Sequence, residues 1–199
     1  MNLCRKTIFI ENDDGVLVST PDGSVQADIA IVCTNAYTAQ LFPHISDWIS
    51  PVRGQMLTTA PLPRLFDHPI YADHGYDYWR QDKEGRIILG GWRNLDPGAE
   101  IGYEESLHPE IQKNMTQFLR AFPSLKTLEV THRWSGIMGF SKDGLPLLGN
   151  IPGFSSTLLA AGFTGHGFGF AWLAGTSIAQ LATEGQNNFC ASMSTRRFF

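Results

Sequence analysis

Glycine and histidine follow a short apolar segment near the end of the chain, in the order Gly-Phe-Thr-Gly-His-Gly over residues 162–167. The apolar residues 158–161 are too few for a helix and too uniformly apolar for a half-exposed strand, so they predict a buried parallel strand. A helix is predicted from near Phe168 to about Thr183, with Gly185 as its stop signal. Because the first turn of a helix presents unpaired N–H groups and partial positive charge, this turn could bind an anion or an electron-rich heterocycle.

Two interpretations of this glycine turn stay open. Gly165 and Gly167 carry no Cβ, so the backbone can approach a ligand closely, but a strand–glycine–helix turn is also common in plain α/β packing. His166 is either a polar neighbour of a ligand or a structural residue of the turn, since the sequence shows no partner for it.

Composition and charge narrow the class of protein. The 199 residues suffice for one large domain or two small ones. A formal net charge of -4 gives no basic surface for nucleic acid, and no apolar run reaches the length of a membrane span. The cysteines Cys4, Cys33 and Cys190 form no C-x-x-C pair, which predicts neither a zinc site nor a disulfide scaffold. Together with the lack of a signal-peptide pattern, this predicts a cytoplasmic protein without a metal, nucleic-acid or membrane partner.

The first fifty residues predict a meander that ends in a second candidate loop. Residues 7–10, 16–20 and 25–33 are typical of three strands separated by tight turns. The third is apolar throughout residues 29–33 and is expected to be buried on both faces. It is followed by a small polar segment that begins with Thr34, Asn35 and Ala36. This segment is either a ligand loop or an ordinary helix N-cap formed by Thr34 or Asn35.

The middle of the chain predicts an antiparallel sheet. Residues 76–81 and 86–91 are strand-like, and residues 82–85 between them have the chemistry of a hairpin turn. Four aromatic residues of this region could line a pocket for an organic substrate or form ordinary core. They are Tyr71, Tyr76, Tyr78 and Trp79.

Three further elements are predicted in the second half of the chain. A single apolar stripe predicts a helix at residues 109–122. A strand is predicted at residues 130–137 and a short edge strand at residues 145–149, where Pro146 offers no N–H. The tail, residues 187–199, is expected to be a surface extension.

Four of these segments, in this order, resemble one family of enzymes. Together they are similar to the C-terminal half of the flavin-dependent D-amino-acid-oxidase-like family, and within it to glycine or sarcosine oxidases and γ-glutamylputrescine-type amine oxidases. The resemblance covers nearly the whole chain, and the ordered set is specific although each motif is short. The segments are residues 27–37, 51–55, 143–149 and 160–167.

The resemblance implies an α/β (α+β) fold in two parts. Residues 1–50 and 134–199 would form the C-terminal part of a Rossmann-like FAD-binding domain, and residues 51–133 an antiparallel-sheet substrate domain. The family also needs a strand–G-x-G-x-x-G–helix unit for the cofactor's pyrophosphate, and this sequence has none. The chain is therefore expected to be a fragment that lacks its N-terminal dinucleotide-binding unit and is inactive alone.

The resemblance also implies the site residues. FAD would be non-covalent, because residues 136–139 contain no cysteine where some relatives attach the flavin. The residues that match the family's FAD contacts are Thr34, Asn35 and Ala36 near the adenosine diphosphate, with Gly139, Gly162, Phe163, Thr164, Gly165, His166, Gly167 and Phe168 near the ring system. His166 is the candidate catalytic residue. The implied substrate pocket consists of Arg53, Tyr76, Tyr78, Trp79 and Met138.

The implied reaction is oxidation of a C–N bond in an amine or amino acid. Hydride would pass to flavin N5, and oxygen would reoxidise the flavin to give an imine or aldehyde and hydrogen peroxide. Relatives hold an α-carboxylate with an Arg where this chain has Met138, or with a Lys where it has Gly169. Neither Met nor Gly can replace such a cation, so an amine or a γ-glutamyl amine is favoured over a simple α-amino acid.

Whether this chain is an enzyme by itself stays open. One alternative is a non-catalytic subunit that needs an N-terminal partner, the missing Rossmann segment. Another is a binding module without flavin, in which Tyr76, Tyr78 and Trp79 line a groove.

Overall fold

The structure, a computed structural model, describes residues 7–198. In these residues the chain forms three β-sheets and several helices, so the protein is of the mixed α/β class. It divides into two units. Unit 1 contains the described residues up to Pro51 and those from Met138 onward, and unit 2 is Val52–Ile137.

The elements follow one another along the chain. The strands are β1 (Ile8–Asn12), β2 (Gly15–Thr20), β3 (Gly23–Ala27), β4 (Ala30–Val32), β5 (Ile49–Thr59), β6 (Ile70–Ala72), β7 (Asp77–Gln81), β8 (Ile87–Gly91), β9 (Val130–Ser141), β10 (Leu147–Asn150) and β11 (Thr157–Ala161). The helices are α1 (Thr38–Leu41), α2 (Pro109–Arg120), α3 (Gly167–Glu184) and α4 (Asn188–Ser192). Short 3-10 turns occur at Asn35–Tyr37, Pro43–Trp48, Asp73–Gly75, Arg93–Leu95, Pro123–Leu125 and Thr195–Phe198.

The strand and helix predicted around the glycine turn are confirmed. β11 is parallel to β4 and antiparallel to β10, and all five of its residues are buried. Apolar residues on one face of this sheet pack against α3, while the other face packs against the turn Pro43–Trp48. The α3 helix ends at Gly185, whose φ of 73° is the left-handed conformation that glycine adopts readily.

The prediction of one buried strand over residues 25–33 is wrong. Two strands of different sheets occupy this segment, because the chain bends at Asp28 and leaves the meander. β3 pairs with β2, whereas β4 pairs with β11. Only Val32 of residues 29–33 is buried, and Ile31 is 42% exposed. The apolar run therefore marks an edge of the sheet as the described residues form it.

A carboxylate fixes the start of β11. The Glu11 side chain accepts the N–H groups of Ser155 and Ser156 at 2.7 and 2.6 Å, and the hydroxyl of Thr157. Burial opposes ionisation of Glu11, but these hydrogen bonds outweigh it and lower the pKa of its carboxyl. The meander is thereby tied to the strand that leads into the glycine turn.

The prediction that the tail is a surface extension is wrong for its described residues. The backbone N–H of Leu148 donates to Met193 O, and the Thr195 hydroxyl donates to Asn150 O, so the tail is hydrogen-bonded to β10. Asn187 caps α4 by accepting the Cys190 N–H, and Cys190 is buried. Apolar contacts and backbone hydrogen bonds of this kind cannot be recognised from the polar composition of the tail alone.

Unit 2 is a sheet covered on one face by a helix. The sheet has the order β6-β7-β8-β5-β9, and the hairpin predicted at residues 82–85 joins β7 to β8. The predicted helix is confirmed as α2, which follows the apolar stripe and stops before Pro123. Its buried residues Ile111, Met115 and Leu119 pack on the sheet. No helix in residues 7–198 has both the length and the apolar character needed to cross a membrane.

The pair formed by Arg197 and Asp143 holds the tail against the turn after β9. The Arg197 side chain donates to both Asp143 oxygens and to Met193 O. The hydrogen bond from Arg197 is the main cause that lowers the pKa of Asp143 to about 2. Since this folded-state pKa is depressed, the stabilisation is complete above the ordinary carboxyl pKa and is lost as the pH falls through about 2.

Replacing Arg197 with alanine should lower the free energy of unfolding by about 1 kcal/mol at pH 7, because the pair is partly exposed to solvent. Urea unfolding should also become less pH-dependent between about pH 4 and pH 2, where wild-type Asp143 takes up its proton. Arg196→Ala is the matched control, since Arg196 is exposed and adjacent. Equal losses in the two variants would contradict this account of the tail.

Candidate functional site

The glycine turn is braced by the end of β9. The Thr164 N–H donates to Gly139 O at 2.9 Å, and the Thr164 hydroxyl accepts the Ser141 N–H at 3.2 Å. Phe140 and Phe163 form an antiparallel bridge between the same segments. Thr164 has a φ of 51°, which is uncommon for a β-branched residue. Such a conformation persists where surrounding hydrogen bonds impose it, as they do here.

Asn35 joins the ends of the two parallel strands. Its side-chain oxygen accepts the Gly162 N–H at 2.9 Å, so the loop after β4 and the turn after β11 are held together. Asn35 itself has a φ of 45°. A Cβ on Gly139 would overlap the Asn35 amide and approach the Ala36 nitrogen to 2.9 Å. Glycine is therefore required at residue 139 for the contact between β9 and this loop.

The N-cap interpretation of the loop after β4 is not what the structure shows. Of the two cap candidates, Thr34 makes no side-chain cap to the turn Asn35–Tyr37, and the Asn35 side-chain oxygen accepts the Gly162 N–H. The Thr34 hydroxyl instead lies 3.0 Å from that of Thr38, and Asn35 bonds across to the glycine turn. Ala36 is buried beside them. The loop and the glycine turn thus form one assembly at the carboxyl end of the parallel pair, where α/β proteins bind ligands.

His166 is positioned by the turn. Its backbone N–H donates to Phe163 O, and its ring Nδ1 lies 2.9 Å from Thr164 O. A hydrogen bond at Nδ1 to a carbonyl makes Nδ1 the donor and leaves Nε2 as the acceptor when the ring is neutral. The ring is therefore held within the turn by this bond.

A cavity of about 410 Å³ adjoins the start of α3. Glycine backbone and aromatic rings form its wall: the lining residues are Gly165, His166, Phe168, Gly169 and Phe170. Phe168 is fully exposed. No Asp, Glu, Lys or Arg lines the cavity, so its polarity comes from the helix N-terminus and the His166 ring. These features fit a flat ring with an electron-rich edge, whereas the described turn offers no cradle of successive glycine N–H groups for a pyrophosphate.

The substrate-pocket residues predicted from the sequence lie in both units. Met138 directly precedes Gly139 in β9 and belongs to unit 1. Arg53 is buried in unit 2, where its guanidinium donates to the carbonyl oxygens of Glu104 and Ala99 and lies 3.4 Å from the Glu100 carboxylate. Arg53 thus holds the loop before α2. Its guanidinium N–H groups are bonded to this loop and are not directed at a substrate carboxylate.

The aromatic residues are divided between the faces of the unit 2 sheet. Trp79 points to the α2 face and packs against Phe118, with ring centroids 5.0 Å apart, which is the core alternative left open above. Tyr78 is its neighbour in the strand and therefore lies on the opposite face. Burial raises the pKa of the Tyr78 hydroxyl, which donates to Met56 Sδ at 3.5 Å. Tyr76 precedes β7, and the Arg93 guanidinium stacks over its ring.

Sequence reasoning missed Ser141, which supports Thr164, and Arg93, which contacts Tyr76. A signal for Arg93 was present in the pair Gly90-Gly91 at the end of a predicted strand. Glycine within a strand often marks close approach of another group. Nothing comparable in the sequence marks Ser141.

Two loops meet at the carboxyl end of the parallel strand pair. This arrangement is typical of α/β proteins that bind a nucleotide cofactor. Residues 4–181 match the family described as "FAD dependent oxidoreductase", DAO. The chain belongs to this family of FAD-dependent oxidoreductases.

Individual relatives agree with the family match. The chain is 28% identical to the probable oxidoreductase OrdL of Rhizobium meliloti over 89% of its length, and 26% identical to glycine oxidase of Bacillus subtilis over 91%. The structure of L-proline dehydrogenase from P. horikoshii superposes with a TM-score of 0.80 and 27% identity over 96% of the chain. The chain covers 41%, 48% and 52% of these three proteins, respectively, and thus spans about half their length.

Gly139→Ala should lower the free energy of unfolding by about 1–3 kcal/mol, because the new methyl group must displace Asn35 and the backbone of Ala36. The measurement is urea unfolding followed by circular dichroism. Gly136→Ala is the control in the same strand, since a Cβ there meets nothing within 4 Å. A loss in the control as large as in Gly139→Ala would show that the contact with Asn35 is not the cause.

Proposed function

We propose that this chain is the part of a FAD-dependent amine or amino-acid oxidase that holds the ring end of the cofactor. The observation that carries the proposal is the glycine turn, held by Asn35 and Gly139 at the N-terminus of α3 beside a cavity with an uncharged lining. FAD, bound non-covalently, would accept two electrons from the C–N bond of the substrate. Membership of the DAO family supports this cofactor.

Each part of the site has a distinct proposed role. The first N–H groups of α3 and their partial positive charge would stabilise negative charge on the ring. The segment 162–168 and Gly139 would contact that ring, and Thr34, Asn35 and Ala36 would lie near the adenosine diphosphate. His166 would lie beside the ring or the substrate. The described part of unit 1 would thus form the C-terminal part of a Rossmann-like domain.

The substrate is proposed to be an amine or amino acid bound by unit 2. Glycine oxidase and L-proline dehydrogenase, by their names, act on amino acids, and both are similar to this chain. Met138 supplies no charge beside the glycine turn, which favours an amine, or a γ-glutamyl amine, over a simple α-amino acid.

A further polypeptide segment is proposed to complete unit 1. Among the described residues β4 pairs with β11 alone, so its other edge can accept a strand. Ile31 lies opposite Leu158 in register and so faces the α3 side of the sheet, yet it is 42% exposed. Trp172 on α3 is 83% exposed. A parallel strand followed by a helix would cover these apolar groups and would bring a glycine-rich pyrophosphate site to the strand ends.

Riboflavin, which contains only the ring and a sugar chain, should bind the purified chain about as weakly as FAD, with Kd values on the order of 0.1–1 mM. The reason is that this chain would supply the ring contacts, whereas the pyrophosphate contacts would come from the further segment. Gly169→Val should weaken both by about tenfold, since the new side chain occupies the cavity. Quenching of flavin fluorescence measures the affinities.

The matched control is Gly175→Val, because a Cβ at either glycine meets nothing within 4 Å and both lie on α3. Equal flavin affinity in the two variants would contradict the proposed ring site. Tight binding of FAD with no binding of riboflavin would contradict the proposal that this chain contacts the ring and another segment contacts the pyrophosphate.

A further inference from the structure

The turn between β11 and α3 contains a threonine in a conformation that disfavours threonine. Within this turn the His166 N–H donates to Phe163 O at 2.9 Å. The two central residues, Thr164 and Gly165, have φ values of 51° and 81°. Two positive φ values in succession are typical of a type I′ turn, in which glycine, asparagine and aspartate predominate. Because threonine is β-branched, this conformation is costly for it, so the reason for its presence lies in contacts outside the turn.

The Thr164 hydroxyl has three hydrogen-bond partners within the protein. Its oxygen accepts the Ser141 N–H at 3.2 Å, lies 3.2 Å from Ser141 Oγ and donates its proton to Gly162 O at 3.2 Å. A hydroxyl has one proton and two lone pairs. Since the proton of Thr164 goes to Gly162 O, the Ser141 hydroxyl is the donor to Thr164 Oγ1. These three bonds use the whole hydrogen-bonding capacity of the Thr164 hydroxyl, which therefore orients the turn and does not bind a ligand.

Ser141 is fixed at the end of β9. The residue is buried, and its carbonyl accepts the Gly144 N–H of the following turn at 3.3 Å. A Cβ built on Gly162 would approach Ser141 Cβ to 3.1 Å, so the serine side chain packs directly against that glycine. Two residues earlier in β9, Gly139 O accepts the Thr164 N–H at 2.9 Å. The strand thus holds both the amide and the side chain of Thr164.

The residues that follow Thr164 line the cavity at the start of α3. Gly165 and His166 belong to the cavity wall, and His166 Nδ1 lies 2.9 Å from Thr164 O. Because a peptide group is planar, a rotation between Thr164 and Gly165 would move that carbonyl and the Gly165 N–H together. The orientation of Thr164 therefore decides which backbone groups the cavity presents to a ligand.

Local stability alone would favour a different residue at position 164. Glycine adopts a positive φ without steric cost, and asparagine also tolerates it. Threonine offers instead a hydroxyl that reaches both β9 and Gly162. The cost of the conformation is thus accepted in exchange for a fixed orientation of the turn, which is typical of ligand sites.

We propose that Ser141 is a positioning residue of the ring site. Through the Thr164 hydroxyl it holds the peptide groups of residues 164–166 in the orientation in which the turn contacts its ligand. The proposal deepens the proposed function, and the identification of that ligand as the flavin ring rests on it. The effect of Ser141 on the turn does not rest on it.

The first test is riboflavin affinity of the full chain, measured by fluorescence quenching. Ser141→Ala should weaken binding about fivefold, as expected for one lost hydrogen bond, and Thr164→Val about tenfold or more. The double variant should bind no more weakly than Thr164→Val, because the serine hydroxyl acts through that of the threonine. Thr164→Ser keeps the hydroxyl and should bind within about twofold of the native chain. Additive losses in the double variant would overturn the proposal.

Thr164→Gly separates positioning from stability. It should be at least as resistant to urea as Thr164→Val, because glycine relieves the strain at the positive φ. It should nevertheless bind riboflavin as weakly as the valine variant, because both lack the hydroxyl. An affinity that returned to the native value in Thr164→Gly would show that the threonine serves the stability of the turn and would overturn the proposal.

The second test needs no flavin. Amide hydrogen exchange of His166, whose N–H closes the turn, should be about fivefold faster in Ser141→Ala than in the native chain. The Gly162 amide, bonded to Asn35, should change less than about twofold. Thr183→Val is the matched control, since the Thr183 hydroxyl is exposed and donates to Ala179 O within α3. Equal effects of the Ser141 and Thr183 variants on His166 would overturn the proposal.

The two tests distinguish failure of this proposal from failure of the proposed function. Riboflavin binding that responds to Gly169→Val, with His166 exchange unaffected by Ser141→Ala, overturns the role of Ser141 alone. Faster His166 exchange in Ser141→Ala, in a chain that binds no flavin, supports the positioning of the turn and removes its assignment to a flavin site.

Discussion

The structure around the candidate site depends on one hydrogen bond, from the Gly162 N–H to the side-chain oxygen of Asn35. The two residues are 127 positions apart in the chain, and each follows one of the paired parallel strands. The bond needs a positive φ at Asn35 and a glycine at residue 139, where any side chain would overlap it. Local sequence does not favour these conditions. The folded sheet imposes them, so folding of unit 1 also forms the candidate site.

In unit 2 the packing of the core, and not a single hydrogen bond, fixes the orientation of the side chains. One face of its sheet is fixed by the α2 core, in which Trp79 packs against Phe118. Because side chains alternate across a strand, that packing fixes the opposite orientation of Tyr78. Arg53 and Glu100, both buried, form an ion pair that holds the loop before α2 in place. The residues of unit 2 that are accessible to a ligand are thus those that the core does not use.

Much of the fold could be predicted from the spacing of apolar residues and from the proline and glycine residues that end helices. The apolar stripe and Pro123 gave the position of α2, and the uniformly apolar residues 158–161 with Gly185 gave β11 and α3. The error at residues 25–33 arose because a single bend at Asp28 moves the chain from one sheet to another, and an apolar run does not reveal its partner strand. Docking of the tail depends on Arg197 and Asp143, whose pairing only the tertiary structure determines.

The part of the candidate site that consecutive residues form could be predicted from the sequence. The part that depends on contacts between distant residues could not. The glycine turn is visible in six residues of sequence, whereas its support by Asn35, Gly139 and Ser141 is a matter of long-range contacts. Alternation along β7 could have separated Tyr78 from Trp79 before the structure was known. The positive φ of Trp92, a bulky residue, had no sequence signal at all.

The most direct measurement is the mapping of backbone amide shifts in the ¹⁵N spectrum of the chain as riboflavin is added. The account predicts that the largest changes lie at Gly165, Gly167 and Phe168, with a smaller change at the Gly162 amide that is bonded to Asn35. Changes confined to the tyrosine face of unit 2, or spread over the surface without a maximum at the start of α3, would contradict the claim that this turn holds the flavin ring.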